Sequence, residues 1–255
     1  MDIVIIGSGN TATVFGHLCK KSGHEVLQVL GRNENTVRQL AESLGAGFTT
    51  GWDEVNREAE IYIIALPDNA LPDLHRSLVL KKGIAVHTAG SVPIEVLKDV
   101  AQNHGVLYPL QSLRSSETHI GTIPIIIDGN TTEDKTLLLD FAASLSSLVA
   151  FADNEQRLFL HLAAVWANNF SNYLFTEAWD ICQEKGVDFK MLLPLLEHTV
   201  GRLHFSPPAA MQTGPAIRGD NQTMNKHLEL LKEKPMSKEL YSLLSRAITQ
   251  YHTSS

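Results

Sequence analysis

Up to about residue 152 the chain alternates short apolar runs with amphipathic stretches. The runs read as strands at Ile3–Ile6, Glu25–Leu30, Gly47–Thr49, Ile61–Leu66, Ile84–Thr88, Val106–Tyr108, Pro124–Asp128 and Leu148–Phe151. Ile3–Ile6 is unbroken and β-branched, as expected for a strand buried on both faces. Between the runs, helical spacing predicts helices at Thr11–Ser22, Glu34–Leu44, a short one near Asp53–Glu58, then Ala70–Leu78, Pro93–Asn103 and Glu133–Leu145. Such alternation predicts an α/β fold, a doubly wound and mostly parallel sheet with helices on both faces.

Near Asp153 the pattern changes to helical spacing without a convincing strand. Glu155–Glu184 can form one long helix that is apolar on nearly every side, from Leu158 and Leu162 through Trp166, Phe170 and Phe175 to Trp179. A helix of that kind belongs in a core or an oligomer interface. A last helix is predicted from Ser237, a candidate N-cap, through Leu240, Leu244, Ile248 and Tyr251. The Pro-, Gly- and Asn-rich stretch Ser206–Asn221 is too long for a simple turn and reads as a functional loop. The expected organisation is therefore a nucleotide-binding domain over 1–152 and an all-helical domain over 153–255.

Composition adds exclusions. Hydrophobic residues make up 44% of the 255 and charged ones 19%, enough for an ordinary packed core. The formal net charge of −7 argues against a nucleic-acid surface. No apolar run has the length of a membrane span, and no leader precedes the first strand, so a cytoplasmic protein is expected. Cys19 and Cys182 are far apart, which excludes a disulfide framework and a cysteine zinc site, and no metal is expected.

The first twelve residues carry the strongest chemical signal. Gly7, Gly9 and Ala12 fit G-x-G-x-x-G/A between a strand and a helix, the context in which this fingerprint means dinucleotide binding. Gly7 permits the tight turn, Gly9 lets the backbone approach a pyrophosphate, and Ala12 lets helix and strand pack closely. Ser8, Asn10 and Thr11 complete the loop, and the helix N-terminus offers free amides to the phosphates.

An NAD site places a carboxylate at the tip of the second strand. Here the tip reads Val29-Leu30-Gly31-Arg32-Asn33, with Glu34 only after them. Arg32, beside Asn33, suits the 2′-phosphate of NADP, or else is a solvated loop cation. Leu66, Pro67 and Asp68 follow the fourth strand, and Thr88, Ala89, Gly90 and Ser91 follow the next. Ligands of doubly wound sheets lie across carboxyl strand ends, so these residues should line the cofactor, the second group near its nicotinamide. Pro67-Asp68 can at the same time begin a turn. Gln111 and Ser112, after Tyr108-Pro109-Leu110, are substrate-side candidates.

The stretches GSGNTA, IALPDNAL, HTAGSV, YPLQSL, HLAAVWANNFSNYL and QTGPAIRGD together resemble small bacterial proteins described as NADP oxidoreductases. These join a Rossmann-like domain to a C-terminal domain of unknown function, and no reaction is assigned to them. Their cousins are pyrroline-carboxylate reductase, deazaflavin-dependent NADP oxidoreductase and the hydroxyacid dehydrogenases. The resemblance spans almost the whole chain and implies a helical C-terminal domain and a homodimer whose interface helps form the active site. Hydroxyacid dehydrogenases carry a lysine acid or base on the first long C-terminal helix. Here Arg157 and His161 occupy that region and no lysine occurs before Lys185, so their mechanism does not transfer.

At 100° per residue His161, Asn168 and Asn172 fall within about 40° of one another, with Asn169 and Thr176 at the edge of the stripe. Such a stripe either faces a cavity or forms a hydrogen-bonded seam. If it faces the nicotinamide, His161 is the candidate general acid and the asparagines would orient a carbonyl, imine or carboxylate. In the loop, Arg218 could clamp a carboxylate with Thr213 nearby and Asp220 orienting it, or Arg218 and Asp220 could simply stiffen the loop. His87 and His227 read as packing residues, and Trp166 and Trp179 as core or interface anchors. The expected function is hydride transfer between NADP(H) and a small carbonyl or imine substrate. A non-catalytic NADP(H) sensor and a hydride exchanger with a flavin or deazaflavin share the same features.

Overall fold

A computed structural model describes residues 1–116 and 121–253. The strands are β1 (Asp2–Ile6), β2 (Glu25–Leu30), β3 (Gly47–Thr49), β4 (Ile61–Ile64), β5 (Leu80–His87), β6 (Ala101–Pro109), β7 (Ile125–Gly129) and β8 (Val149–Phe151). They form a single sheet in the order β3-β2-β1-β4-β5-β6-β7-β8. All neighbours run parallel except β6 and β7. The connection order reverses between β1 and β4, which places the ligand crevice of such a sheet at the carboxyl ends of those two strands.

Helices α1 (Asn10–Lys21), α2 (Glu34–Leu44) and α3 (Thr132–Leu145) pack on one face. Ala12, Phe15 and Cys19 of α1 meet Ile3 and Ile5 there, with Phe141 and Leu145 of α3 in the same core. The opposite face carries Val4, Ile6, Tyr62 and Ile64 under Leu71, Leu74 and Leu97, which come from short 3-10 turns.

The helices expected over Ala70–Leu78 and Pro93–Asn103 do not form. The first is two 3-10 turns, Asp68–Ala70 and Leu74–Arg76, separated by Pro72, which lacks the amide an α-helix interior needs. The second is one 3-10 turn, Ile94–Leu97, because Ala101–Asn103 already pair with β5. Sheet pairing there overrides the helical spacing. The short helix expected near Asp53–Glu58 is likewise only a 3-10 turn, Trp52–Glu54.

After β8 come α4 (Asn154–Ala164), a π-helical stretch (Val165–Phe170) and α5 (Ser171–Lys185). Asp153 caps α4 through the amide of Gln156, whose side chain returns to the Asp153 amide. The chain divides into two compact units, Met1–Ala167 and Asn168–Ser255. The division falls after α4, beyond the expected boundary at 152/153, since α4 is anchored on the sheet unit by Asn154, Arg157 and His161.

In the second unit, α6 (Leu193–Gly201), α7 (Asn221–Leu230) and α8 (Pro235–Thr253) follow α5. The Nδ1 of His227 on α7 meets the Tyr241 hydroxyl on α8 at 2.8 Å. Lys234 pairs with Glu184 at 2.5 Å, which holds that carboxyl down at a pKa of about 2. Ser237 is not the N-cap of α8. The helix starts at Pro235, a residue preorganised for a first turn, and the Ser237 side chain bonds Glu177 instead. The loop 206–221 contains the 3-10 turn Pro208–Met211 and a run of turns closed by Asp220.

Candidate active site

The β1–α1 turn is built as the fingerprint requires. Gly7 has φ 126°, and a methyl group there would lie 2.3 Å from the Ala65 carbonyl at the end of β4. Only glycine fits between the two strands that flank the crevice. Gly9 caps α1, and a Cβ at that position would meet no atom within 4 Å, leaving room for a ligand to approach the backbone. The first turn of α1 carries no acidic residue, and its leading amides have no partner within the helix. Ala12 is buried. The Ser8 hydroxyl meets that of Thr36 at 2.8 Å, tying this turn to α2. Asn10 Oδ1 accepts from the Ser115 amide at 3.0 Å, so the segment after β6 comes up to the start of α1.

At the tip of β2 Arg32 is exposed and, among the described residues, has neither an ion pair nor a hydrogen bond. Asn33 is committed to capping α2 through the Thr36 amide. Glu34, the nearest carboxylate in sequence, is engaged by Arg38. Gly31 was not singled out from the sequence, yet a methyl there would press within 2.6 Å of Val37 and 3.2 Å of the Ser8 hydroxyl. The loops after β4 and β5 are joined to each other by the Ser91 hydroxyl, which donates to Asp68 at 2.6 Å. Leu66, Pro67, Thr88 and Ala89 lie along the same carboxyl edge.

The decisive contact lies just beyond this edge. The Tyr108 hydroxyl and His161 Nδ1 are 2.9 Å apart, their rings edge to face. Gly90 is packed against both: a Cβ there would sit 2.8 Å from His161 Nδ1 and 2.8 Å from Tyr108 Cζ. The fold thus brings the loop expected to meet the nicotinamide, the end of β6 and the middle of α4 to one point. Burial raises the Tyr108 pKa, the neighbouring Arg157 cation lowers it, and Asp68 raises it again, so the hydroxyl stays protonated near neutrality. Tyr108 itself was read from the sequence only as part of a strand end.

The regular α-helical phasing expected to link His161 to Asn168 and Asn172 is interrupted. The π-helical stretch Val165–Phe170 intervenes, and its i→i+5 turns take in an extra residue, so α-helical phasing does not carry through to Asn172. His161 lies in the first unit, Asn168 and Asn172 in the second. Asp220 has a local task, and the Arg218 cation acts on it as well. It caps α7, accepting from the Thr223 amide at 3.0 Å and the Thr223 hydroxyl at 2.7 Å, bonds that hold its pKa below the usual carboxylate value. Arg218 is exposed and forms no ion pair among the described residues. Thr213, Gln111 and Ser112 are exposed. Among the described residues no three His, Cys, Asp or Glu side chains are grouped to hold a metal ion. No helix there is long and apolar enough to cross a membrane.

A doubly wound sheet in the order 3-2-1-4-5-6, a glycine-rich turn at its reversal point and a cation at the second strand tip define a dinucleotide-binding oxidoreductase fold. Residues 2–89 match the family described as NADP oxidoreductase, coenzyme F420-dependent, and residues 123–248 match a domain of unknown function, DUF2520. The crystal structure of a Bacteroides fragilis protein provisionally named an NADP oxidoreductase is 38% identical, with a TM-score of 0.91 over 98% of each chain. An imine reductase from Myxococcus stipitatus in complex with NADP+ shares the fold at 13% identity, with a TM-score of 0.70 over 100% of this chain and 95% of that one. A 1-pyrroline-5-carboxylate reductase from Streptococcus pyogenes does so at 15% identity, with a TM-score of 0.65 over 98% of each. No curated protein matches the chain. The chain belongs to the family of NADP oxidoreductases that pair this N-terminal domain with DUF2520.

Proposed function

We propose that the protein transfers hydride between NADP(H) and a small carbonyl or imine substrate, with His161 as proton donor to the reduced product. The observation that carries this reading is the packing of Gly90, from the loop after β5, against the Tyr108–His161 pair. A titratable imidazole at the carboxyl edge of a dinucleotide fold is where the proton of such a reaction is needed.

The residues fit the cofactor. The α1 amides and the open space over Gly9 receive a pyrophosphate, and Arg32 meets a 2′-phosphate with a charge-assisted bond. NADP(H) supplies or accepts the hydride when bound. The protein handles the proton: with the ring protonated, Nδ1–H donates to the Tyr108 oxygen and fixes the imidazole, and Nε2–H is left for the substrate oxygen or nitrogen. After that transfer the neutral ring keeps its Nδ1–H bond to Tyr108.

The second unit supports assembly with a second copy through the C-terminal helices. Of its described apolar side chains only Cys182 and Ala216 are buried, and Phe205 is 88% exposed. A helical domain with so little internal core gains it from a partner.

NADPH oxidation measured against a panel of small aldehydes, ketones and cyclic imines tests the reading. Turnover on one class, cut roughly 10²- to 10⁴-fold in His161→Gln, is the expected result. Turnover that survives His161→Gln intact would remove His161 from the reaction. NADPH binding with no turnover on the whole panel would favour the sensor.

A further inference from the structure

Arg157 is 1% exposed and has no carboxylate within ion-pair distance among the described residues. Burying a guanidinium without a paired anion is costly, and natural cores rarely keep one unless it performs a task. Its Nη2 donates to the Val92 carbonyl at 2.5 Å and to Asn154 Oδ1 at 2.9 Å, while Nε and Nη1 have no partner. Asn154 continues the link, since its Oδ1 accepts from the Ile94 amide at 3.0 Å and its Nδ2 donates to Glu95 at 2.9 Å. The first turn of α4 is thereby bonded at three points to residues 92–95, the backbone that directly follows Gly90 and Ser91.

His161 lies four residues beyond Arg157, on the same side of α4. Residues 88–91 and His161 are thus held to one another through Arg157 and Asn154. The approach at Gly90 has no slack, because even a methyl group there would collide with the imidazole. We propose that Arg157 is a positioning residue, which fastens the loop 88–95 to α4 so that the His161 ring meets Tyr108 and faces the cofactor loop in one fixed orientation. The charge keeps the fastening rigid. A guanidinium reaches two acceptors at once and cannot give up its proton, which a lysine or glutamine does not reproduce. The groups around it are Asp128 and Tyr108 from the sheet, Glu95 from the 3-10 turn, Asp153 from the start of α4, and His87 from β5. Asp128, also paired with Lys135, is the nearest of these charges in effect and offsets part of the cost of burying the guanidinium, while the hydrogen bonds of Arg157 go to Val92 and Asn154.

This inference rests on the proposed place of His161 beside the cofactor loop, and its test reads the ring without any substrate. In full-length protein labelled with 15N-histidine, the His161 signals are identified by their loss in His161→Gln. The wild type is expected to show one tautomer with a hydrogen-bonded Nδ1. Arg157→Gln, shown to be folded by circular dichroism, is expected to give an averaged, solvent-like His161 and to weaken NADPH binding several-fold. Arg157→Lys is expected to recover part of both. Should Arg157→Gln not fold, Asn154→Ala removes the relay acceptor and is expected to shift the same signals to a smaller degree. A folded Arg157→Gln, or failing that Asn154→Ala, with His161 signals and NADPH affinity unchanged overturns the proposal. A wild type that does not bind NADPH but still shows the fixed His161 tautomer, lost in Arg157→Gln, would count against the cofactor reading and not against the role of Arg157.

Discussion

Gly90 joins backbone geometry to chemistry at a single position. Its missing side chain leaves the space in which the His161 and Tyr108 rings meet. Gly90→Ala is therefore expected to fold yet to lose at least tenfold in turnover, because the imidazole must swing away from Tyr108. Steady-state kinetics and a thermal melt on the same sample check both halves. Gly7→Ala is a different case. The position has φ 126° and its methyl would meet the Ala65 carbonyl, so the loss falls on stability, by more than about 1 kcal/mol in chemical denaturation, as well as on nucleotide binding. Gly7, Gly9 and Ala12 were legible in the sequence because the fingerprint is local: six residues running from the end of a strand into the first turn of a helix. Tyr108 was not, because its partner lies 53 positions away and no window along the chain joins them. Asp220 carries a role that is local in the sequence. An acid directly before a helix start is an N-cap pattern, and the carboxylate caps α7 while the Arg218 cation it was expected to orient acts on it as well.

At the scale of elements, β5 carries a polar residue into the core. His87 is fully buried, with Nδ1 accepting from the Ala89 amide at 3.2 Å. Burial, helped by the Arg157 cation, lowers its pKa to about 3, so it is neutral in the fold. In the unfolded chain it takes up a proton near its ordinary pKa of about 6.5. Stability from this residue is thus complete above pH about 6.5 and is lost progressively as the pH falls towards about 3. Denaturation curves across that interval should show His87→Gln losing about 1.4 kcal/mol per pH unit less than the wild type. On α4, Asp153→Ala removes the capping box and is expected to cost about 1 kcal/mol, read from the denaturation midpoint. Short strands rich in β-branched and apolar residues were legible almost to the residue, as at Glu25–Leu30 and Gly47–Thr49. The segments 70–78 and 93–103 were not, because their helical spacing competes with 3-10 turns and with pairing of Ala101–Asn103 against β5. The long apolar helix was legible in extent, but its π-helical stretch was not, and that stretch interrupts the even α-helical phasing on which the stripe was read.

For the whole molecule, the sheet unit has its own core on both faces, whereas the second unit leaves Trp179, Met191, Phe205 and Leu230 exposed. Light scattering is expected to give twice the 28.1 kDa chain mass, and a monomer at micromolar concentration would contradict the proposed assembly. The doubly wound architecture was readable from alternation alone, since burial on both faces leaves strands continuous and helices amphipathic. Substrate identity was not readable, because it depends on side chains that distant segments bring together and not on any periodic pattern. The central claim is that the carboxyl edge of this sheet holds NADP(H) through the α1 amides and Arg32. Titrating the protein with NADPH and NADH by nicotinamide fluorescence, with Arg32→Ala alongside, tests it directly. The account predicts NADPH binding roughly tenfold to a hundredfold tighter than NADH, with that preference lost in Arg32→Ala. No binding of either nucleotide, or a preference that Arg32→Ala leaves untouched, would contradict it.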